Sequence, residues 1–304
     1  MARTIPTEAG TLPALGASVP SSDAAVPTSN ASIPGSGGGG AADNFAAQVD
    51  ATSNVTAWWS PNGAAAAGLA DDATAMTSMG TEANPNMLAV VASTGNFAVV
   101  ADNIGTATSL TSCLESIQSD GSNFCAIDAG GTQSSALNTY LTTQKNGGFS
   151  GFLFFKNAGA NWSSANYGSI LQFYGDSSTS GTSNSYNAVG FYKGTTSLGK
   201  VRISAPNTLD LTTASIMAVN TWYFIGWRQT SVDNFTLYVV VVGDVWGNVQ
   251  TTTGASAWNK GGLNLGMAMS GGPAPFDGWR WGPFGLFSAD VGETALQDIF
   301  EAIE

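Results

Sequence analysis

Histidine is absent from the 304 residues. That single absence removes the Ser-His-Asp triad, Cys-His pairs, histidine general bases and nearly all zinc and iron sites. The chemistry left is that of carboxylates and aromatic rings. A glycosidase needs two carboxylates flanking the scissile bond, and on a β-sandwich these usually sit on one strand face as Glu-x-Asp-x-Glu. No two acids of this chain stand two apart, so a non-enzymatic protein is expected. Sugar binding asks for less: an aromatic platform and a few amides, sometimes with calcium held by carboxylate and carbonyl oxygens. Trp162 beside Asn161 and Asn166, and Trp258 beside Asn259, lie in polar loop-like segments and are the candidate glycan platforms. The same indoles could instead plug the ends of a sandwich. Asp128, Asp176 and Asp277 could serve a calcium ion or satisfy their own turns; no other cofactor is expected. Cys113 and Cys125 lack zinc or C-x-x-C spacing, which leaves either one loop-closing disulfide or two reduced core thiols.

The composition limits what must position such groups. Charged residues make up only 10% of the chain against hydrophobic residues at 43%, so the surface has to be built from Ser, Thr, Asn, Gln and Gly. That balance suits packed assemblies and fibres better than metabolic enzymes. The net charge is −12, and between Arg3 and Lys145 there is no basic residue while eleven acids occur. A field of that sign argues against nucleic-acid partners, which are held by Lys and Arg on phosphates. No apolar run approaches the roughly 18 residues of a membrane span, and Met1-Ala-Arg-Thr-Ile-Pro does not open a secretory signal. Synthesis in a cytoplasm without export is therefore expected.

Residues 1–42 carry a repeat. An aliphatic residue followed by proline recurs every seven positions, at Ile5-Pro6, Leu12-Pro13, Val19-Pro20, Val26-Pro27 and Ile33-Pro34. Proline in each heptad removes a backbone donor and clashes with the preceding turn, so the period of seven is no coiled coil. The chain is driven towards extended backbone there, and at about 3.1 Å per residue the repeats could span on the order of 90 Å. One such strand cannot bury its five aliphatics against itself. The unbroken register argues against a disordered linker and for an assembly arm, either three copies wound into a stalk, which makes a homotrimer, or one strand laid along a partner protein. Gly37 to Gly40 supply a flexible joint, and residues 43–304 form the globular part.

From about residue 45 short apolar or alternating runs are punctuated by Gly, Asn, Ser and Thr, the pattern of an antiparallel sandwich. Strands are predicted at Met87–Val91, Phe97–Ala101, Phe149–Phe155, Ile170–Tyr174, Ala188–Tyr192, Lys200–Ile203, Trp222–Arg228, Phe235–Val242 and Trp279–Phe287. Phe235–Val242 is apolar on both faces, which predicts a central strand covered on both sides. One helix is predicted at the end, with Leu296, Ile299, Phe300 and Ile303 at helical spacing and Asp290 and Glu293 as a cap-like start.

The run Trp222-Tyr223-Phe224-Ile225-Gly226-Trp227, a short turn, and Phe235-Thr236-Leu237-Tyr238-Val239 ending at Gly243 resemble the paired strands of laminin-G-like or concanavalin A-like lectin domains. Phe149–Phe155, and Phe276-Asp277-Gly278 leading to Phe284–Phe287 and a short helix, are similar to that family's strands as well. The resemblance covers about residues 130 to 304 and departs at Val240–Asp244, where the family's tight turn is lengthened. It implies an all-β, concanavalin A-like jelly-roll sandwich with an extended N-terminal arm and a short C-terminal helix. Sandwiches behind repetitive arms occur on bacteriophage particles, so by analogy the expectation is a virion structural protein, a capsid decoration or fibre protein. Its partners would be its own copies, other virion proteins and surface glycans, with a glycan-binding adhesin outside a virion as the first alternative and a glycoside hydrolase as the second.

Overall fold

The long apolar runs of the second half cannot be satisfied singly, and they pair into antiparallel ladders. The computed structural model describes residues 44–61, 75–77, 86–90, 97–107, 110–116, 124–127, 148–159, 168–174, 186–191, 200–205, 209–212, 217–231, 234–254, 263–268 and 278–304, all within the unit Ala41–Glu304. The heptad arm, Ile5 to Pro34, lies outside the described residues.

Sheet A contains β1 (Val55–Trp59), β4 (Phe97–Ala101), β5 (Ser112–Ser116), β7 (Phe149–Asn157), β12 (Trp222–Ser231), β13 (Asn234–Val241), β14 (Gln250–Gly254) and β16 (Trp279–Phe287). Sheet B contains β2 (Ala75–Thr77), β3 (Asn86–Val90), β6 (Phe124–Ile127), β8 (Gly168–Tyr174), β9 (Tyr186–Phe191), β10 (Val201–Ala205), β11 (Leu209–Thr212) and β15 (Leu263–Ala268). Sheet A runs β14-β13-β12-β7-β16-β5-β4, with β1 on the second half of β16, and sheet B runs β11-β10-β9-β8-β15-β6-β3-β2. All nine predicted strands are present, within a few residues of their expected limits, and the fold is an all-β sandwich.

Period-two alternation splits sheet A into two packed faces. Trp281, opposite Phe155 in the β16/β7 ladder, donates its indole N–H to the Ile170 carbonyl of sheet B at 3.0 Å, which marks the face between the sheets. The other face carries Phe152, Phe154, Phe224, Tyr238 and Val240. It is covered by α1 (Phe45–Ala51), α2 (Gly292–Glu301) and the 3-10 turn Trp246–Asn248. β13 lies between β12 and β14 with both of its faces largely buried, as its two apolar faces predict. Gly285 is the close-approach point of this layer, because a Cβ there would run into the side chains of Phe152 and Trp58.

The lengthened turn after β13 brings Trp246 back onto the helix layer. Gly243 takes a φ of 89°, a left-handed value suited to glycine. Trp246 then stacks on Tyr238 at 5.9 Å and meets Phe300 at 5.8 Å. α2 buries Leu296, Ile299, Phe300 and Ile303, so the predicted helix packs as its spacing requires.

Its start differs from expectation. Val291, which has no polar side chain, occupies the N-cap position, and the acid stands one residue earlier, at Asp290. Its carboxylate takes the Arg228 guanidinium at 2.7 and 2.6 Å, and one of its oxygens also accepts the Gly292 N–H. Glu293 accepts the Trp246 indole N–H at 3.2 Å instead of closing a capping box. Asp290 thus serves both the Arg228 pair and one N–H of the helix's first turn, and no capping box forms.

Cys113 is a buried free thiol in the helix-side layer. Burial first, with the nearby Asp102 charge adding to it, pushes its thiol up to about 12. It behaves as an inert core residue.

Candidate functional site

Register, rather than sequence proximity, gathers the charged side chains of sheet A. Trp222 of β12 stands opposite Lys156 of β7, Lys156 opposite Arg280 of β16, and Arg280 opposite Glu115 of β5. The four form one row across four neighbouring strands, on the same face as Phe154 and Phe224. Asp102, the residue after β4, stands over the row. Lys156 Nζ donates to its two oxygens at 2.8 and 3.2 Å, Arg280 Nη1 donates to Oδ2 at 2.6 Å, and Arg280 Nε donates to Glu115.

The row is half-sealed: the Lys156 side chain is 10% exposed and Asp102 13%, against 23% for Arg280. Burial alone would raise the Asp102 carboxyl, but hydrogen bonds from Lys156 and Arg280 outweigh it and hold the group below the ordinary carboxylate range. The Trp222 indole N–H adds to this without reaching hydrogen-bond geometry with any acceptor. Lys156 Nζ also lies 5.7 Å from the centre of the Trp222 ring, within cation–π reach. Arg280 is raised: burial opposes its charge, and the Asp102 and Glu115 carboxylates more than compensate.

The segment that carries Asp102 is fixed in turn. The Ile303 carbonyl accepts the N–H groups of Thr106 and Ala107 at 2.9 and 3.0 Å, and Ile104 is fully buried. Two cations meet two carboxylates, so the row carries no net charge. Such a set can hold and orient polar groups through its spare N–H donors. Asp102, held ionised by its two cations, is an acceptor in this set and not a proton donor.

The sequence-derived candidates fall elsewhere. Asn161, Trp162, Trp258 and Asn259 lie outside the described residues, as do Asp128, Asp176 and Asp277. The strands before the two tryptophans leave sheet A at opposite ends: β7 finishes at Asn157, beside Trp222, whereas β14 finishes at Gly254, which pairs with Phe235 at the far end. Among the described residues no three carboxylate or thiol side chains are grouped to hold a metal ion. The row itself was missed from sequence. Its only local signals are a lysine closing the apolar run Phe152–Phe155 and an arginine between Trp279 and Trp281.

No family model matches the chain, and no curated protein matches it. Solved structures share its fold. Trypanosoma rangeli sialidase in complex with 2-keto-3-deoxy-D-glycero-D-galacto-2,3-difluoro-nononic acid is 11% identical with a TM-score of 0.53, over 90% of this chain and 35% of that one. The same sialidase in complex with 2,3-difluorosialic acid is 9% identical with a TM-score of 0.51, over 82% and 33%. The binding domain of botulinum neurotoxin serotype D/C is 12% identical with a TM-score of 0.49, over 83% and 53%. The chain thus spans about a third of the length of the sialidases it resembles. At these identities the likeness to the two sialidase structures establishes the fold alone.

Proposed function

We propose that the chain is a non-catalytic display protein: a lectin-like sandwich that binds surface glycans, carried on a heptad arm that self-associates and joins it to other proteins of a virion. The observation that carries the glycan reading is the sandwich itself, whose fold is shared with sialidase structures holding sialic acid analogues. The lack of catalysis is supported by the Asp102 row. A glycosidase acid must keep its proton near neutral pH, whereas Asp102 is held ionised by two cations and Glu115 is engaged by Arg280. The trimeric arm rests on the register of its five aliphatic-proline pairs. A glycan-binding adhesin outside a virion would use the same head.

Two measurements test this. On a glycan array the full chain is expected to retain at least one glycan class and to release no reducing sugar from it. Silence across the array removes the glycan reading, and release of sugar removes the non-catalytic one. By light scattering the full chain is expected to have at least three times the mass of one subunit, and a version starting at Asp43 to lose that threefold association. Equal states for both would show that the arm does not assemble the protein.

A further inference from the structure

β4 is the outermost strand of sheet A on its β5 side among the described residues. The bonds it already makes determine what it leaves open. Asp102 N–H donates to Thr111 O at 2.9 Å, next in register to Ala101 opposite Ser112. Bonded and non-bonded pairs alternate in an antiparallel ladder. Val100 with Cys113 and Ala98 with Glu115 therefore exchange bonds, while Phe97, Val99 and Ala101 turn their N–H and C=O groups away from β5. Three residues present six main-chain groups at the open side.

The strands at the other ends of the two paired orders carry features that discourage pairing. β14 reads Gln-Thr-Thr-Thr-Gly, β11 contains Asp210, and β2 is three residues long. β4 reads Phe-Ala-Val-Val-Ala, without charge, proline or glycine, and its last residue is exposed. An apolar edge of that length is a template for another strand.

We propose that β4 pairs with β4 of a second copy of this chain, antiparallel about a two-fold axis at Val99. In that register Val99 faces Val99 and Phe97 faces Ala101, so the largest residue of the strand meets one of the smallest. Each facing pair is of the bonding type, and all six open groups find partners. A slip of one residue sets open groups against groups already used within the subunit. A slip of two leaves one end of each strand unpaired. The contact is self-complementary and closes on itself. Asp102, the next residue, does not disturb it, since its charge is taken up by Lys156 and Arg280.

The test uses the full chain at micromolar concentration. Ala101→Lys places a charge beside Phe97 of the second copy, at a position exposed in the subunit. Val99→Pro removes an N–H that the β4/β5 ladder does not use. Light scattering should show the wild type as two arm-set assemblies joined head to head and both variants at half that mass, a hexamer against a trimer where the arm is threefold. Hydrogen exchange should show the amides of Phe97, Val99 and Ala101 protected in the wild type and open in Ala101→Lys. Equal masses for the three proteins would overturn the proposal. Protected amides in a wild type no heavier than Ala101→Lys would overturn it too, and would mean that another segment of the chain covers the edge.

Discussion

Phe224→Ala is expected to lower the stability of the folded protein by about 4 kcal/mol, read as a fall in the urea midpoint with little change in slope. Phe224 is fully buried where sheet A meets its helical cover. Its ring lies 5.3 Å from Phe154 and 6.2 Å from Phe152 within the sheet, and 5.9 Å from Trp246 and 5.7 Å from Phe300 above it. Truncation removes the transfer energy of the ring, its edge-to-face contacts, and the support that Trp246 and α2 rest on. Collapse cannot repair the gap, because the neighbour on the same face of the strand is Gly226, which has no side chain to move into the space that the Phe224 ring vacates over it. Amide exchange across α2 should quicken more than exchange in β7, since the helix loses a wall while the ladder keeps its bonds. Thr251→Ala, at an exposed site on β14, should change stability by less than about 0.5 kcal/mol. A loss below about 1.5 kcal/mol in Phe224→Ala would show that the helical layer repacks freely and does not hold the sandwich face closed.

The strands most legible in the sequence were those whose burial is strongest. β7, β12, β13 and β16 are nine, ten, eight and nine residues long and each carries a run of aromatic and aliphatic residues, because sheet A is covered on both faces. β14 was not read, since an outer strand with one wet face can be Gln-Thr-Thr-Thr-Gly, which looks like loop. β5 was not read either, as Ser-Cys-Leu-Glu-Ser holds two apolar residues only. α1 escaped for a related reason: Phe45 and Val49 are a single pair at helical spacing, and the helix depends on the sheet beneath it rather than on its own seven residues. The charged row had no such local pattern. Asp102 and Arg280 are 178 positions apart and meet only through the order of strands in sheet A, which no spacing in the sequence encodes. The glycan platforms at Trp162 and Trp258 rest on local polarity alone, and both lie outside the described residues.

Wild-type stability is expected to hold from neutral pH down to about 5 and then to fall through the ordinary carboxylate range near 4 and below. Asp102→Asn should remove about 3 kcal/mol at neutral pH and flatten that fall. The sign follows from the partners of Asp102. Lys156 and Arg280 hold its carboxyl below its unfolded value against the opposing effect of burial. On acidification the unfolded chain therefore takes up the proton first. The stabilisation is complete above the unfolded pKa and disappears as the pH falls through the folded one. The neutral amide leaves two cations in a half-sealed row without their shared acceptor, and that orphaning makes up most of the loss. Glu115→Gln should cost less, about 1 kcal/mol, since Arg280 still has Asp102. In an Arg280→Gln background Asp102→Asn should cost less than it does alone, because one fewer charge is stranded. Thermal melts of the four proteins between pH 3 and 7 measure that coupling directly. Additive losses would mean that Lys156 alone positions Asp102, and that the Arg280–Glu115 pair is a separate contact which happens to share the row.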